Sequence, residues 1–78
     1  MKEILEVIIK NLVDNPNEIQ ITEESSDENY VKLSVKVAKD DMGKVIGRDG
    51  RIAKATRSLM KSMGAKEHKK VSVEFLDD

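Results

Sequence analysis

The sequence predicts a two-layer α/β (α+β) sandwich on a three-stranded mixed sheet, with the element order helix, strand, strand, short helix, helix, strand. Three patterns lead to this prediction. Residues 30–37 alternate between apolar and polar side chains, as expected for a strand that buries one face. Residues 51–63 repeat apolar side chains at helical spacing. Residues 71–75 alternate again, and the long helical connection between the two alternating segments suits a parallel, right-handed crossover.

The first helix is predicted over residues 2–13, ahead of the break at Pro16. Its apolar stripe, which should pack on the sheet, consists of Ile4, Leu5, Ile8 and Leu12. Three apolar residues fall outside this stripe and are available to a partner protein: Val7, Ile9 and Val13. We therefore expect an amphipathic helix that leaves some apolar surface uncovered.

An antiparallel hairpin is predicted to follow the first helix. Its first strand is short, residues 19–22, and a polar, acidic loop covers residues 23–29. The second strand covers residues 30–37, and its inward side chains are Val31, Leu33, Val35 and Val37. The last strand, residues 71–75, directs Val71, Val73 and Phe75 to the same face.

The connection between the second and third strands contains two predicted helices. Asp40 or Asp41 is expected to cap a short helix over residues 42–46. The long helix over residues 51–63 should end at Gly64. Its inner face is predicted to consist of Ile52, Ala55, Thr56, Leu59, Met60 and Met63. Its outer face carries Arg51, Lys54, Ser58 and Lys61.

Charge is unevenly distributed along the 78 residues, whose formal net charge is −1. Residues 1–41 carry a net charge of −5, residues 42–70 a net charge of +7, and residues 71–78 a net charge of −3. A local patch matters more to a polyanion than the total charge does. The basic middle segment is therefore compatible with nucleic-acid binding, although four of its lysines are interpreted as solvated surface: Lys61, Lys66, Lys69 and Lys70.

Composition excludes several classes of protein. The chain has no cysteine and one histidine, His68, so it offers neither a disulfide framework nor a thiolate or multi-histidine metal site. No apolar run approaches the roughly 18 residues of a membrane span, and the N-terminus does not resemble a signal peptide. The sequence therefore predicts a soluble, cytoplasmic domain that needs no cofactor.

The most informative stretch is residues 43–50. Here the apolar pair Val45-Ile46 leads into Gly47-Arg48-Asp49-Gly50, named the glycine loop below, and a helix begins near Arg51. Glycine lacks a side chain, so a ligand backbone can come close to it. A helix N-terminus adds unpaired N–H groups and the positive end of a dipole. The combination suits a phosphate backbone.

The same residues carry a resemblance to a known family. Residues 45–55, Val-Ile-Gly-Arg-Asp-Gly-Arg-Ile-Ala-Lys-Ala, resemble the V-I-G-x-x-G-x-x-I core of KH domains. The added helix and strand at the N-terminus are similar to the prokaryotic type II arrangement. With the opening helix and its ending Leu12-Val13-Asp14-Asn15-Pro16, the chain resembles the small bacterial KhpA (YlqC-type) proteins over nearly its whole length. The resemblance implies one type II KH domain over residues 1–78.

The resemblance also implies a function. KH domains bind single-stranded RNA, with about four nucleotides across the loop. The resemblance to this family implies that the protein is an RNA chaperone and post-transcriptional regulator with no enzymatic activity. It also implies a link to cell-wall homeostasis and cell length. The same resemblance implies that the chain forms a homodimer, or a heteromer with a larger KH-domain protein of the KhpB (Jag) type.

Eight residues are the expected RNA-binding set: Lys44, Ile46, Gly47, Arg48, Asp49, Gly50, Arg51 and Lys54. The two glycines let the RNA backbone approach, and N–H groups near Arg51 face a phosphate. Arg48 at the loop tip contacts a phosphate, while Arg51 and Lys54 extend the positive surface and Lys44 flanks it. Ile46 lines the floor under the bases, together with Ile52.

Asp49 departs from the pattern, because an acidic group beside a phosphate is unfavourable. Either it points away and caps the following helix, which is the interpretation we favour, or it lowers the affinity for RNA.

Two other functions are open at this stage. A nucleotide-binding subunit or enzyme is disfavoured, because the glycines at 43, 47 and 50 fit neither G-x-G-x-x-G nor G-x-x-x-x-G-K-[ST], and no nucleophile or activated base is visible. A protein-interaction or dimerisation module that has a KH shape and binds little nucleic acid is the main alternative to RNA binding.

Overall fold

A computed structural model of the protein describes residues 1–76. The helices are α1 (Lys2–Lys10), α2 (Met42–Ile46) and α3 (Arg51–Lys66). The strands are β1 (Gln20–Asp27), β2 (Tyr30–Lys36) and β3 (Lys70–Phe75). Single 3₁₀ turns occupy Pro16–Glu18 and Lys39–Asp41, and Arg48–Gly50 forms a turn with a positive φ at Asp49. The predicted order of helices and strands is confirmed.

The strands form one mixed sheet in the order β1-β2-β3. β1 and β2 are antiparallel, with Ile21 opposite Val35, and β2 and β3 are parallel, with Val31 opposite Val71. The predicted mixed sheet and helical crossover are therefore confirmed. β3 lies at one edge of the sheet, beside α3.

The core lies between one face of this sheet and the helices. Five apolar side chains of the described core are completely buried: Leu5, Ile9, Leu33, Val45 and Met60. In β2 buried and half-buried residues alternate, and the predicted inward residues Val31, Leu33, Val35 and Val37 are all buried. Burial of Val45 and Met60 fixes α2 and α3, and with them the glycine loop, to the sheet.

The first helix is shorter than predicted and turned about its axis. It ends at Lys10, well before Pro16, and the Asn11 side chain that follows donates to the Val7 carbonyl (2.7 Å). Leu5 and Ile9 are its buried residues, so placing Ile9 on a partner-facing surface was wrong. Ile4, predicted in the core stripe, is 39% exposed, whereas Val7 is 60% exposed, as predicted.

The first strand is longer than predicted. β1 continues through the acidic segment to Asp27, and the predicted loop at residues 23–29 was wrong except at its end. Asp27 Oδ1 accepts a hydrogen bond from the Asn29 N–H (2.7 Å), which closes a tight turn into β2. The backbone groups of this polar edge strand form hydrogen bonds with β2. Its amino-acid composition is the same as that of a polar loop, so composition alone does not distinguish the two.

α3 runs past the predicted stop at Gly64, which is buried inside the helix. A Cβ atom at Gly64 would lie 2.4 Å from Val71 Cγ2 and 2.9 Å from the Lys69 carbonyl oxygen. The missing side chain therefore brings α3 close to the start of β3. The helix ends instead where His68 takes a positive φ of 60° and the Lys69 N–H donates to the Gly64 carbonyl (2.8 Å).

The inner face of α3 is turned relative to the prediction. Thr56 and Met60 are buried as predicted, but Ala53 and Gly64 replace Ala55 and Leu59, which are exposed. The reason is the close contact at Gly64, which sets the face that points to the sheet. The predicted outer face is confirmed, since Arg51, Lys54, Ser58 and Lys61 are all exposed.

Neither aspartate caps α2 through its side chain. Asp41 occupies the position before the helix but makes no capping hydrogen bond there, and its side chain is completely buried. The carboxylate instead accepts hydrogen bonds from the Asp14 N–H (3.1 Å), the Asn15 N–H (3.0 Å) and the Asn15 amide group (3.0 Å). Asp41 therefore ties the segment after α1 to the start of α2.

Candidate functional site

The glycine loop connects α2 to α3 through backbone conformations that most residues avoid. Gly47 has φ 77° and ψ 174°, and Gly50 has φ 74° and ψ 16°. Asp49 between them also has a positive φ, 56°. Gly47 lies in a region open essentially to glycine alone, whereas the left-handed region of Asp49 and Gly50 also accepts Asn and Asp. The sequence of the loop thus matches the backbone that it adopts.

The hydrogen bonds of the loop leave its tip free. The Gly47 N–H donates to the Gly43 carbonyl (2.9 Å), and the Gly50 N–H donates to the Gly47 carbonyl (3.2 Å). The Arg51 N–H donates to the Arg48 carbonyl, so this predicted phosphate contact is already engaged. Within residues 1–76, no hydrogen bond of this kind uses the N–H of Arg48 or Asp49. Two adjacent N–H groups at the tip are therefore available to an anion.

The two glycines of the loop have different surroundings. A Cβ atom at Gly47 would lie 2.6 Å from Ile52 Cγ1, so Ile52 packs directly against the loop backbone. Nothing lies within 4 Å of the corresponding position at Gly50. Gly47 therefore serves the internal packing of the loop, and Gly50 leaves open space where a ligand backbone can approach.

Three exposed cationic residues belong to the loop or to the first turn of α3 that follows it. Arg48 at the tip and Arg51 and Lys54 on the first turn of α3 are all exposed. Ile46 and Ile52, the predicted floor, are half-buried, and Ile46 packs against the core. The structure thus brings together an apolar floor, free N–H groups and three cations, a combination that fits a sugar-phosphate strand.

Lys44 is engaged elsewhere. Its ammonium group pairs with the Asp14 carboxylate and lies 3.4 Å from Asp41 Oδ1. The hydrogen bond to Asp14 raises the pKa of Lys44, which stays protonated. The ammonium group that was predicted to flank the RNA is thus paired with two carboxylates. Lys44 belongs with Asp41 in the cluster that holds α2 in place.

Asp49 does not cap α3. Gly50 is the residue before the helix, and the helix receives no side-chain capping hydrogen bond. The favoured sequence interpretation was wrong, because the positive φ of Asp49 places it at the tip of the loop, one residue too early to cap. Asp49 is exposed there beside Arg48.

Sequence reasoning missed Arg57. Its Nε–H donates to the Val73 carbonyl of β3 (3.1 Å), and its guanidinium carbon lies 5.5 Å from the centre of the Phe75 ring. Arg57 thereby joins α3 to the free edge of β3 and extends the positive surface away from the glycine loop. The sequence gives one signal, since Arg57 follows Lys54 by one helical turn.

Comparison with known proteins places this fold in a family. Residues 2–75 match the family described as KhpA/KhpB, KH domain. The chain belongs to the KhpA/KhpB KH-domain family. Its α-β-β-α-α-β order and mixed sheet agree with the type II arrangement implied by the resemblance.

Relatives in this KH-domain family match along their whole length. The RNA-binding protein KhpA of Clostridium acetobutylicum is 50% identical over 76 residues, which are 97% of this chain and 100% of that protein. The protein of the same name from Listeria monocytogenes is 46% identical, over 99% of this chain and 100% of its own length. That of Chlamydia trachomatis is 42% identical, over 100% of this chain and 99% of its own. The comparison with solved structures gave no significant match.

Two features are absent from residues 1–76. None of the helices in that range is long and apolar enough to cross a membrane. No group of three or more histidine or acidic side chains in the same range is arranged to hold a metal ion.

Proposed function

We propose that this protein binds single-stranded RNA through the glycine loop and catalyses no reaction. The observation that carries the proposal is the free loop tip, where the N–H groups of Arg48 and Asp49 are unused within residues 1–76, and exposed cations occupy the tip and the helical turn that follows it. Relatives named RNA-binding protein KhpA align along 97% and 99% of this chain, which supports the same function.

In the proposed complex the RNA backbone crosses the loop at Gly50, where no side chain obstructs it. A phosphate accepts hydrogen bonds from the tip N–H groups and from the Arg48 guanidinium. Arg51 and Lys54 hold the next phosphates, and the bases lie against Ile46 and Ile52. Asp49 reduces the local positive charge, so the loop contributes modest affinity. Lys44 contributes through its structural ion pairs instead of by direct contact.

The wider role that we propose is that of a cytoplasmic RNA chaperone and post-transcriptional regulator with a single KH domain over residues 1–78. The partner is a second copy of the chain or a larger KH-domain protein of the KhpB type. Exposed apolar residues support such pairing: Val7 is 60% exposed and Leu59 47% exposed. Sedimentation without RNA tests self-association. If the protein is a monomer at all concentrations, the homodimer is ruled out and pairing with the larger KH-domain protein is the only form of the proposal left.

Replacing Arg48 with aspartate tests the site. The Arg48→Asp loop presents two adjacent carboxylates to the RNA backbone, so we expect affinity for a short single-stranded RNA to fall at least about tenfold, the equivalent of 1.4 kcal/mol. Fluorescence anisotropy measures this affinity, and circular dichroism should be unchanged because Arg48 is exposed.

The matched control is Lys10→Asp, which makes the same charge change at an exposed position on α1. It should weaken binding by less than about threefold, because long-range fields are screened beyond about 10 Å at moderate salt. Equal binding by Arg48→Asp and the parent protein would place the RNA elsewhere. Micromolar binding of ATP or NAD, with no binding of RNA, would favour a nucleotide-binding subunit.

A further inference from the structure

We infer that the end of α3 farthest from the glycine loop holds a second nucleotide-binding cleft, which receives later nucleotides of the same RNA strand. This inference rests on the proposed function, since it extends the footprint of the RNA beyond the loop. It concerns lysines that the sequence alone presents as solvated surface.

The cleft lies between the last turns of α3 and the start of β3 and has a volume of about 390 Å³. The residues that line it include Tyr30, Lys61, Ala65, Lys69, Lys70 and Val71. The close approach of α3 and β3 at Gly64 shapes it, because Gly64 lies directly against Val71 and is followed in the helix by Ala65, and both Ala65 and Val71 line the cleft. A volume of this size lies within the usual range for sites that bind small organic molecules.

The chemistry of the cleft selects an anionic ligand with a flat apolar part. The surface of the cleft is mainly apolar, and three of its lining residues are lysines, whose long side chains can place their ammonium groups at the rim. Among the described residues that line the cleft, none is acidic. Within residues 1–76 the ammonium groups of Lys61, Lys69 and Lys70 form no ion pair. A nucleotide supplies both parts, a base for the floor and a phosphate for the rim.

A continuous positive surface connects the cleft to the glycine loop. Lys54, Arg57 and Lys61 follow one another at spacings of three and four residues, which places them on neighbouring turns of one side of α3. From Arg51 to Ala65 the helix extends about 21 Å at its usual rise. A strand held at the loop by about four nucleotides therefore has a cationic path along α3 to the cleft. This path favours RNA over a protein segment as the occupant.

The test compares two lengths of single-stranded RNA by fluorescence anisotropy. The parent protein should bind an RNA of about ten nucleotides at least about tenfold more tightly than one of about four. In Lys61→Ala/Lys70→Ala most of this gain, which is the ratio of the affinity for the long RNA to that for the short RNA, should disappear. The affinity for the short RNA should stay unchanged. The slope of log affinity against log salt for the long RNA should become shallower by about 0.7 for each phosphate that the variant no longer neutralises.

Two further variants complete the design. Ala65→Phe fills the cleft without changing charge and should reduce the same gain. Lys2→Ala/Lys10→Ala removes two positive charges from α1 and should leave the gain intact, which also corrects for the larger number of binding positions on a long strand. Thermal melts check that each variant is folded.

The outcomes separate this inference from the proposed function. If the Lys61/Lys70 variant binds the long RNA as tightly as the parent, or loses affinity equally for both lengths, the cleft is not a nucleotide site. If short RNA binds with dependence on Arg48, the loop function survives that result. If the parent binds neither RNA, both the loop function and the cleft are wrong.

Discussion

Replacing Gly47 with alanine is expected to destabilise the protein by about 2–4 kcal/mol and to abolish RNA binding by the loop. Two effects add. The backbone at Gly47, with φ 77° and ψ 174°, lies in a region that alanine hardly enters. The new Cβ atom would also lie 2.6 Å from Ile52 Cγ1, and Ile52 would have to move. Small proteins of this length have only about 4–12 kcal/mol of total stability, so the loss is large.

Gly50→Ala is the matched control for Gly47→Ala. Gly50 has a left-handed conformation that costs alanine about 1–2 kcal/mol, and no atom lies within 4 Å of the added methyl group. The free energy of unfolding measured in urea should therefore be lower for Gly47→Ala than for Gly50→Ala. The loss of unfolding free energy caused by Gly47→Ala should be smaller in an Ile52→Ala background than in the parent protein. The reason is that Ile52→Ala removes Cγ1 and Cδ1, which the new methyl group would otherwise meet. Equal stability of the two glycine variants would show that Ile52 does not pack against the loop in this way.

Replacing Asp41 with alanine is expected to lower the melting temperature by about 10 °C or more. The substitution removes the acceptor for both N–H groups at Asp14 and Asn15 and for the Asn15 side-chain amide. It also leaves Lys44 with a single carboxylate partner, Asp14. The neighbouring Asp40 is exposed, so Asp40→Ala should change the melting temperature by less than about 2 °C.

The Asp41 variant also has an expected pH dependence. Burial raises the pKa of the Asp41 carboxyl, but the hydrogen bonds from Asp14, Asn15 and Lys44 outweigh burial and hold this pKa below its ordinary value. A lowered pKa means that the stabilisation is complete above the unfolded value of about 4 and is lost as pH falls through the folded value. The difference in melting temperature between parent and Asp41→Ala should thus be constant above about pH 5 and shrink below about pH 4. A difference that grows on acidification would contradict this assignment.

Loss of the Asp41 contacts should also affect RNA binding. Asp41 and Lys44 hold α2 against the segment after α1, and the glycine loop begins where α2 ends. A binding loss in Asp41→Ala that exceeds the loss in Asp40→Ala, measured at a temperature where both are folded, would show that this cluster positions the loop.

The fold followed from the sequence wherever burial alone set the pattern. The strict alternation in β2 and the apolar pair before the loop needed no knowledge of their neighbours. Errors arose where a contact distant in sequence decides the structure. The face of α3 depends on Val71 meeting Gly64, and the role of Asp41 depends on backbone groups at Asp14 and Asn15, far along the chain.

The candidate site shows the same division. The spacing of the glycines predicted a tight loop ahead of a helix, which is confirmed, whereas anion binding at this loop stays a prediction. The spacing did not reveal that Gly47 packs on Ile52 while Gly50 faces open space, because both are glycines in one short motif. Nor did it reveal that Lys44 is held by two carboxylates, since Asp14 is brought to it only by the folded chain.

The central claim is that the tip of the glycine loop holds the RNA backbone. Amide chemical shifts, followed by heteronuclear NMR during titration with a single-stranded RNA of about four nucleotides, test it most directly. The largest shifts should occur at Arg48 and Asp49, whose N–H groups are unused within residues 1–76, followed by Gly50 and Arg51. Amides of β1 at residues 22–24 should hardly move. Large shifts in β1 or α1, with the four loop amides unchanged at saturating RNA, would contradict it.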